Sequence, residues 1–426
     1  MILKIKNNRV LSNISWILAG RIFYMALNFI VGLLSARYLG PSSYGLIGYA
    51  AAYTTFFTSI CSLGIDSIIV KELIDNKKKE GTILGTSITL KLISSTLSLL
   101  TIIGISFIVD HGEPITRMVV FLYSMSLLFQ TFETIKYWFQ SKLQSKYSEL
   151  TVTVGYVIMS IYKVFLLLTG KNVKWFALSN TIEYISVAII LYLLYKRKGG
   201  DKLAFSWSDG KRILSKSYHF IISGLMVAVY NSTDRFMLKQ MLSESEVAYY
   251  TTAVTLSGLC TFLLGAIIQS VTPVIMEEFK KSKDVYMKRN KQLYAVIFYI
   301  SVFFSIFIFI FSKLIINILF GKNYYASISP LRVLTWYTAF SYLGVARNPW
   351  IVCENKQKYL KYIYVSCALF NVLLNYLMIP VWNATGAAVA SLLTQIATIL
   401  IFPLFIKELR PNVKLMVDAM LLKDVK

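Results

Sequence analysis

Apolar residues run in blocks of about 20 or more along nearly the whole chain. Each block is long enough to cross a hydrocarbon core of roughly 30 Å as a helix. The blocks do not alternate apolar with polar positions, so the strand pattern of a membrane β-barrel is excluded. A window reading places about twelve spans. Their limits are 13–36, 43–63, 83–109, 115–137, 147–169, 173–195, 217–241, 247–272, 292–319, 329–352, 359–380 and 384–406. The pattern predicts an all-α polytopic membrane protein. Polar residues interrupt the fourth and seventh spans most.

Inside the spans the polar residues recur at helical spacing, which puts them on shared faces. Arg21 aligns with Asn28 and Ser35, and Lys91 with Ser87, Ser94, Ser95 and Ser98. The fourth span carries Ser126, Gln130, Glu133 and Tyr137 in one stripe, and the fifth carries Thr153, Tyr156, Ser160 and Lys163. The sixth has Ser179, Glu183 and Ser186; the seventh has His219, Ser223, Tyr230 and Asp234. Stripes on six helices predict a wet, protein-lined interior.

Composition agrees with the membrane reading. The chain of 426 residues is 56% hydrophobic and only 15% charged, against about 25% charged in a soluble domain. The net charge of +23 raises the question of nucleic acid, but its distribution answers it. With the N-terminus inside, about 31 of the 44 basic residues fall on the inward segments and about eight on the outward ones. Most of the charge is therefore topology, no nucleic acid is expected, and both termini are expected in the cytoplasm. Lys4, Lys6 and Arg9 precede an apolar run longer than a signal peptide's, read as a retained first helix.

Five basic residues remain inside the spans: Arg21, Lys91, Lys163, Arg235 and Arg347. A charge at the bilayer centre costs roughly 3 kcal/mol on insertion scales. Cations sheltered from lipid point to an anionic substrate. The bland readings are snorkelling for Lys91, Glu133, Lys136 and Arg347, a Lys163–Glu183 structural ion pair and an interfacial hydrogen bond for His219. Asp234 and Arg235 are neighbours and point about 100° apart, so only one faces a given partner. If an ion gradient drives the cycle, Glu133, Glu183, His219 or Asp234 would take up the ion. Cys61, Cys260, Cys353 and Cys367 form no CxxC pair and read as small apolar residues. No metal-spaced cluster, Walker loop, HExxH or GxSxG is present, so neither metal, cofactor nor enzymatic activity is expected.

The chain divides into two halves of six spans, expected at 1–200 and 201–426. Shifting 28–45 onto 231–248 pairs Asn28 with Asn231, Leu39 with Leu242 and Ser42 with Ser245. Gln144–Tyr147 echoes Lys356–Tyr359. An even span count makes such a repeat parallel about the membrane normal. Residues 196–216, between the halves, read as a helix or broken helix lying in the interface, or as a plain linker.

The run Arg37-Tyr38-Leu39-Gly40-Pro41 followed by Tyr44-Gly45 resembles the opening of bacterial polysaccharide and O-antigen flippases. These belong to the multidrug/oligosaccharidyl-lipid/polysaccharide exporter superfamily. Asn231 to Arg235 leading to Tyr249-Tyr250 looks like the counterpart in the second half. Leu319 to Tyr324, Asn371 and Asn375 before Pro380, and Thr385 to Ala388 look similar too. The resemblance covers about residues 10–410. It implies a monomer of two six-helix bundles around a central cavity, in the bacterial cytoplasmic membrane. It also implies movement of an undecaprenyl-diphosphate-linked oligosaccharide between leaflets. Lipid-linked oligosaccharide and membrane lipids are then the expected partners, with a polysaccharide polymerase or chain-length protein as a further one. On that basis Arg21, Asn28, Lys91, Lys163, Arg235 and Arg347 are the expected substrate-binding residues.

Two alternatives stand beside it. A cation-coupled drug exporter of the same superfamily should carry more acidic than basic groups in its spans, the reverse of what is found. A membrane polymerase acting on lipid-linked glycans generally needs a large outward loop. The largest outward segment, around 320–328, is too small for that.

Overall fold

The computed structural model describes residues 2–142 and 144–423. Side chains are described from Phe23 onward, except those of Lys77, His219, Ile222, Ser223, Met226, Val227, Asn231 and Cys260. Contacts divide the chain into two compact units, Met1–Ser232 and Thr233–Lys426. Among the described residues there is no strand.

Unit 1 contains α1 (Ile2–Cys61), α2 (Ile69–Asp75), α3 (Glu80–Val109), α4 (Pro114–Ser124), α5 (Ser126–Gln130), α6 (Ile135–Ser141), α7 (Ser145–Leu168) and α8 (Val173–Arg197). The helix α9 (Trp207–Met241) begins in unit 1 and ends in unit 2. Unit 2 adds α10 (Glu244–Ser257), α11 (Thr261–Lys281), α12 (Lys283–Leu319), α13 (Ile328–Ala346), α14 (Asn348–Cys353), α15 (Leu360–Ile396) and α16 (Arg410–Met420). Eight helical stretches among the described residues are long and apolar enough to cross a membrane.

Two of those stretches each hold two expected spans. Gly40, at φ 70° and ψ 172°, breaks α1 just before Pro41. Glycine accepts that conformation and proline supplies no N–H to continue the ladder. Asn383, at φ 55° and ψ −136°, breaks α15. There the backbone N–H of Ala384 donates to Glu246 Oε2 at 2.8 Å. In the second half the corresponding break falls between α9 and α10, where Ser243 is extended.

Large apolar side chains face outward where lipid would lie. Ile108 is 80% exposed, Leu168 82% and Phe303 67%. A soluble protein would bury such residues. Inside, unit 1 packs Ile69, Ile83, Leu84, Trp138, Phe139, Leu191 and Tyr195 at the end where α2, α3, α6 and α8 meet. Unit 2 has its own core, in which Tyr286, Tyr294, Leu343, Trp350 and Met416 join α12, α13, α14 and α16.

The fourth span is not one regular helix. Thr131 and Thr134 donate back to the carbonyls of Leu128 and Thr131 at 2.7 Å each. The intervening turn, Thr131–Thr134, tightens to a 3₁₀ helix, as hydroxyls competing for i−3 carbonyls favour.

Residues 196–216 form a broken helix. After α8 the chain runs without helix to Ser206 along α3, with Ala204 N donating to the Gly81 carbonyl at 3.3 Å. Ser206 N donates to Thr86 Oγ1 at 3.0 Å, and Asp209 N donates to Ser206 Oγ at 3.3 Å. That serine starts α9, which continues unbroken from Trp207 into the seventh span. Buried Glu72 of α2 then clamps these first turns, accepting from Arg212 and Lys216 at 2.6 Å each. A charged partner on α2, outside the segment, decides the matter.

Candidate functional site

In unit 1, α1, α3 and the α5–α6 turn enclose a cavity of about 130 Å³. Most of its lining is polar: Thr58, Ser62, Asp66, Lys91, Ser95, Gln130, Thr131, Glu133, Lys136 and Tyr137, with Cys61 and Leu127. Gln130 at the end of α5, Glu133 in the tightened turn and Tyr137 in α6 keep their helical spacing and fall on one side. Asp66 comes from the short 3₁₀ turn Ile65–Ser67 that follows α1.

Lys91 is the most buried charge here, with its side chain 7% exposed. Its Nζ donates to Asp66 Oδ1 at 2.6 Å and to Thr134 Oγ1 at 3.2 Å. Lys136 donates to Glu133. Thr58 donates to Gln130 Oε1 at 3.3 Å. Two lysines and two carboxylates therefore share the cavity in pairs.

The other expected residues of unit 1 extend this polarity. Lys163 of α7 and Glu183 of α8 lie within electrostatic reach of each other, and Glu183 also feels Glu133 and Lys136. Asn28 of α1 accepts from the Tyr156 hydroxyl at 2.5 Å. Tyr156 also meets Tyr24 edge to face, with ring centroids 4.4 Å apart. Arg21 and His219 lie outside the residues whose side chains are described.

Unit 2 holds the remaining three separately. Asp234 is 5% exposed. It accepts from the Tyr250 hydroxyl, from Ser391 Oγ at 2.6 Å and from Asn375 Nδ2 at 2.6 Å. Asn375 also donates to Asn371 Oδ1 at 3.1 Å. A buried carboxylate is thus surrounded by uncharged donors. Arg235 is half-buried, and its Nε has no hydrogen-bond partner among the described residues. Arg347, 3% exposed, sits where α13 meets α14, near Tyr294 and Tyr364.

Reading by helical face missed Asp66, because it lies in a connection between spans. It also grouped Asp234 with residues of its own helix, whereas Tyr250, Asn375 and Ser391 come from α10 and α15. The signal for the latter was the pair of asparagines four apart in an apolar helix. Burying two amides on one face is costly unless they meet a polar partner.

These features define a polytopic helical membrane protein with a polar interior in each of two units. The fold is shared with the inward-closed form of the lipid II flippase MurJ, at a TM-score of 0.72 and 13% identity over 96% of this chain and 91% of that one. It is also shared with an inward-facing multidrug resistance MATE family transporter, at 0.70 and 14% over 93% and 96%. The sequence model of the family described as polysaccharide biosynthesis protein matches residues 10–279, and the chain belongs to that family. Full-length similarity extends to the capsular polysaccharide biosynthesis protein CapF of Staphylococcus aureus, 21% identical over 94% of this chain and all of that one. A protein named as an O-antigen transporter in Shigella dysenteriae is 22% identical over 75% of this chain and 79% of its own length.

Proposed function

We propose that this protein is a flippase that carries an undecaprenyl-diphosphate-linked oligosaccharide across the cytoplasmic membrane. The observation that carries the reading is the polar, ionised cavity of unit 1 inside a bundle whose outer face is apolar. A glycan and its diphosphate cannot cross hydrocarbon unaided, and such an interior shelters polar groups during transfer. Family membership and the relatives named for capsule and O-antigen support the same substrate class.

In this reading the substrate meets Lys91 and Lys163, with Asn28, Arg21, Arg235 and Arg347 as further contacts. Asp234 is the ion-coupling group. Glu133 and Glu183 each have a lysine nearby, whereas the donors to Asp234 among the described residues, Tyr250, Asn375 and Ser391, are uncharged. A buried carboxylate so placed is costly until a proton or a cation neutralises it. The two halves, 1–200 and 201–426, move by alternating access. The protein works without enzymatic chemistry, as a monomer with both termini in the cytoplasm, and hands its product to a polysaccharide polymerase or chain-length partner.

The test is transfer in vesicles. The purified chain, reconstituted into liposomes with a fluorescent undecaprenyl-diphosphate-linked sugar, should make the inner-leaflet lipid accessible to an external quencher or lectin. Transfer no faster than in protein-free vesicles would refute the reading.

A further inference from the structure

We infer that the cavity of unit 1 receives a sugar ring of the lipid-linked glycan and not its diphosphate. The inference rests on the flippase reading and specifies which part of the substrate enters this site.

Charge balance is the first ground. Among the described residues, the ionisable groups lining the cavity are Lys91, Lys136, Asp66 and Glu133, and their formal charges cancel. A diphosphate entering here would have to displace Asp66 from Lys91 across a 2.6 Å ion pair. It would then face two carboxylates of its own sign. Like charges a few ångströms apart at the effective dielectric of a protein surface oppose each other strongly.

Accessibility is the second. Lys91 is 7% exposed, whereas its partner Asp66 is 35% exposed, and Glu133 and its own partner Lys136 are 31% and 28% exposed. An incoming group therefore meets two carboxylates and one ammonium, already paired with Glu133, before the Lys91 ammonium. The carboxylate oxygens only accept hydrogen bonds. Diphosphate oxygens also only accept, so the two cannot pair. Sugar hydroxyls donate and accept, and use both kinds of group.

The rest of the lining fits the same ligand. Thr58, Ser62, Gln130 and Thr131 each offer donors and acceptors. Tyr137 and Leu127 supply apolar surface for the C–H face of a ring.

The experiment compares undecaprenyl diphosphate, bare and carrying one hexose or one N-acetylhexosamine, for binding to the purified full-length chain and to Asp66→Asn, Glu133→Gln and Gln130→Ala. At least one glycosylated lipid should bind the unaltered chain more tightly than the bare lipid. Each variant should lose that advantage by about tenfold, the scale of a hydrogen bond to a charged group, and bind bare lipid as before. Tighter binding of all three lipids by Asp66→Asn or Glu133→Gln would overturn the inference, because it would mean that the carboxylates compete with the diphosphate for the lysines. Equal binding of all three lipids by the unaltered chain would overturn it as well. Neither result touches the flippase reading, whereas failure of the unaltered chain to bind any of them would remove both. If Asp66→Asn alone loses every lipid, its fold is lost and the other two variants decide.

Discussion

Lys91 Nζ lies 2.6 Å from Asp66 Oδ1, an ion pair that ties the middle of α3 to the turn leaving α1. The same ammonium also reaches Thr134, so one lysine joins three segments of unit 1. Removing it strands a carboxylate beside the cavity.

Lys91→Met should reduce surface polysaccharide at least several-fold in a complementation assay at matched protein level. The exposed Lys280→Ala should change little. Because Asp66 is partly solvated, the loss of stability should be modest, about 1 kcal/mol. Equal polysaccharide display by the two variants would remove Lys91 from the transport site.

Asp234→Asn keeps the size of the side chain and removes its charge. Transport should then lose its dependence on a proton or sodium gradient, while lipid binding to the purified chain persists. Asp234→Ala goes further and removes the acceptor that Tyr250, Ser391 and Asn375 share in a buried site. It should cost about 3 kcal/mol, visible as a lower unfolding temperature. Gradient-dependent transport by Asp234→Asn would place the coupling group elsewhere.

Gly64 has φ +63°, and a Cβ there would lie 2.5 Å from the Ser217 carbonyl oxygen. The left-handed backbone disfavours any side chain by roughly 1 kcal/mol, and overpacking adds about 1–3 kcal/mol. Gly64→Ala should lower the amount of folded protein in the membrane, measured by fluorescence-detected size exclusion. Gly112→Ala, which also has positive φ but no neighbour near its Cβ position, should be milder.

Glu72 is 3% exposed and carries both Arg212 and Lys216. Glu72→Ala should free the first turns of α9 and speed amide exchange over residues 207–217. The cost should be about 1–3 kcal/mol, below that of a fully buried pair because both cations reach solvent. Unchanged exchange would show that the packing of Ile213 alone holds the segment.

Much of the fold was legible because a membrane imposes a simple rule. Each span must be apolar for about 20 residues, and all twelve expected stretches fall on helix in the structure. Even the breaks at Gly40-Pro41 and near Asn383 lay between spans already separated by eye. The candidate site was legible only in part. Gln130, Glu133 and Tyr137 were recognised as one stripe and do line one cavity, because periodicity survives the 3₁₀ turn well enough to keep them together. Asp66 was invisible, since nothing local distinguishes a cavity carboxylate from a loop carboxylate.

By itself the sequence determined the class of protein, the apolar stretches that become helix and several polar helix faces, because these follow from the local cost of placing each side chain in hydrocarbon. It also displayed Lys91 as an uncompensated charge, because it shows the sign of a residue and not its neighbour. Only the tertiary structure paired Lys91 with Asp66, and Asp234 with Tyr250, Asn375 and Ser391. Those partners lie 25 residues apart in the first case and up to 157 in the second. Electrostatic energy depends on distance in space, and for residues on different helices the packing of the chain alone sets that distance.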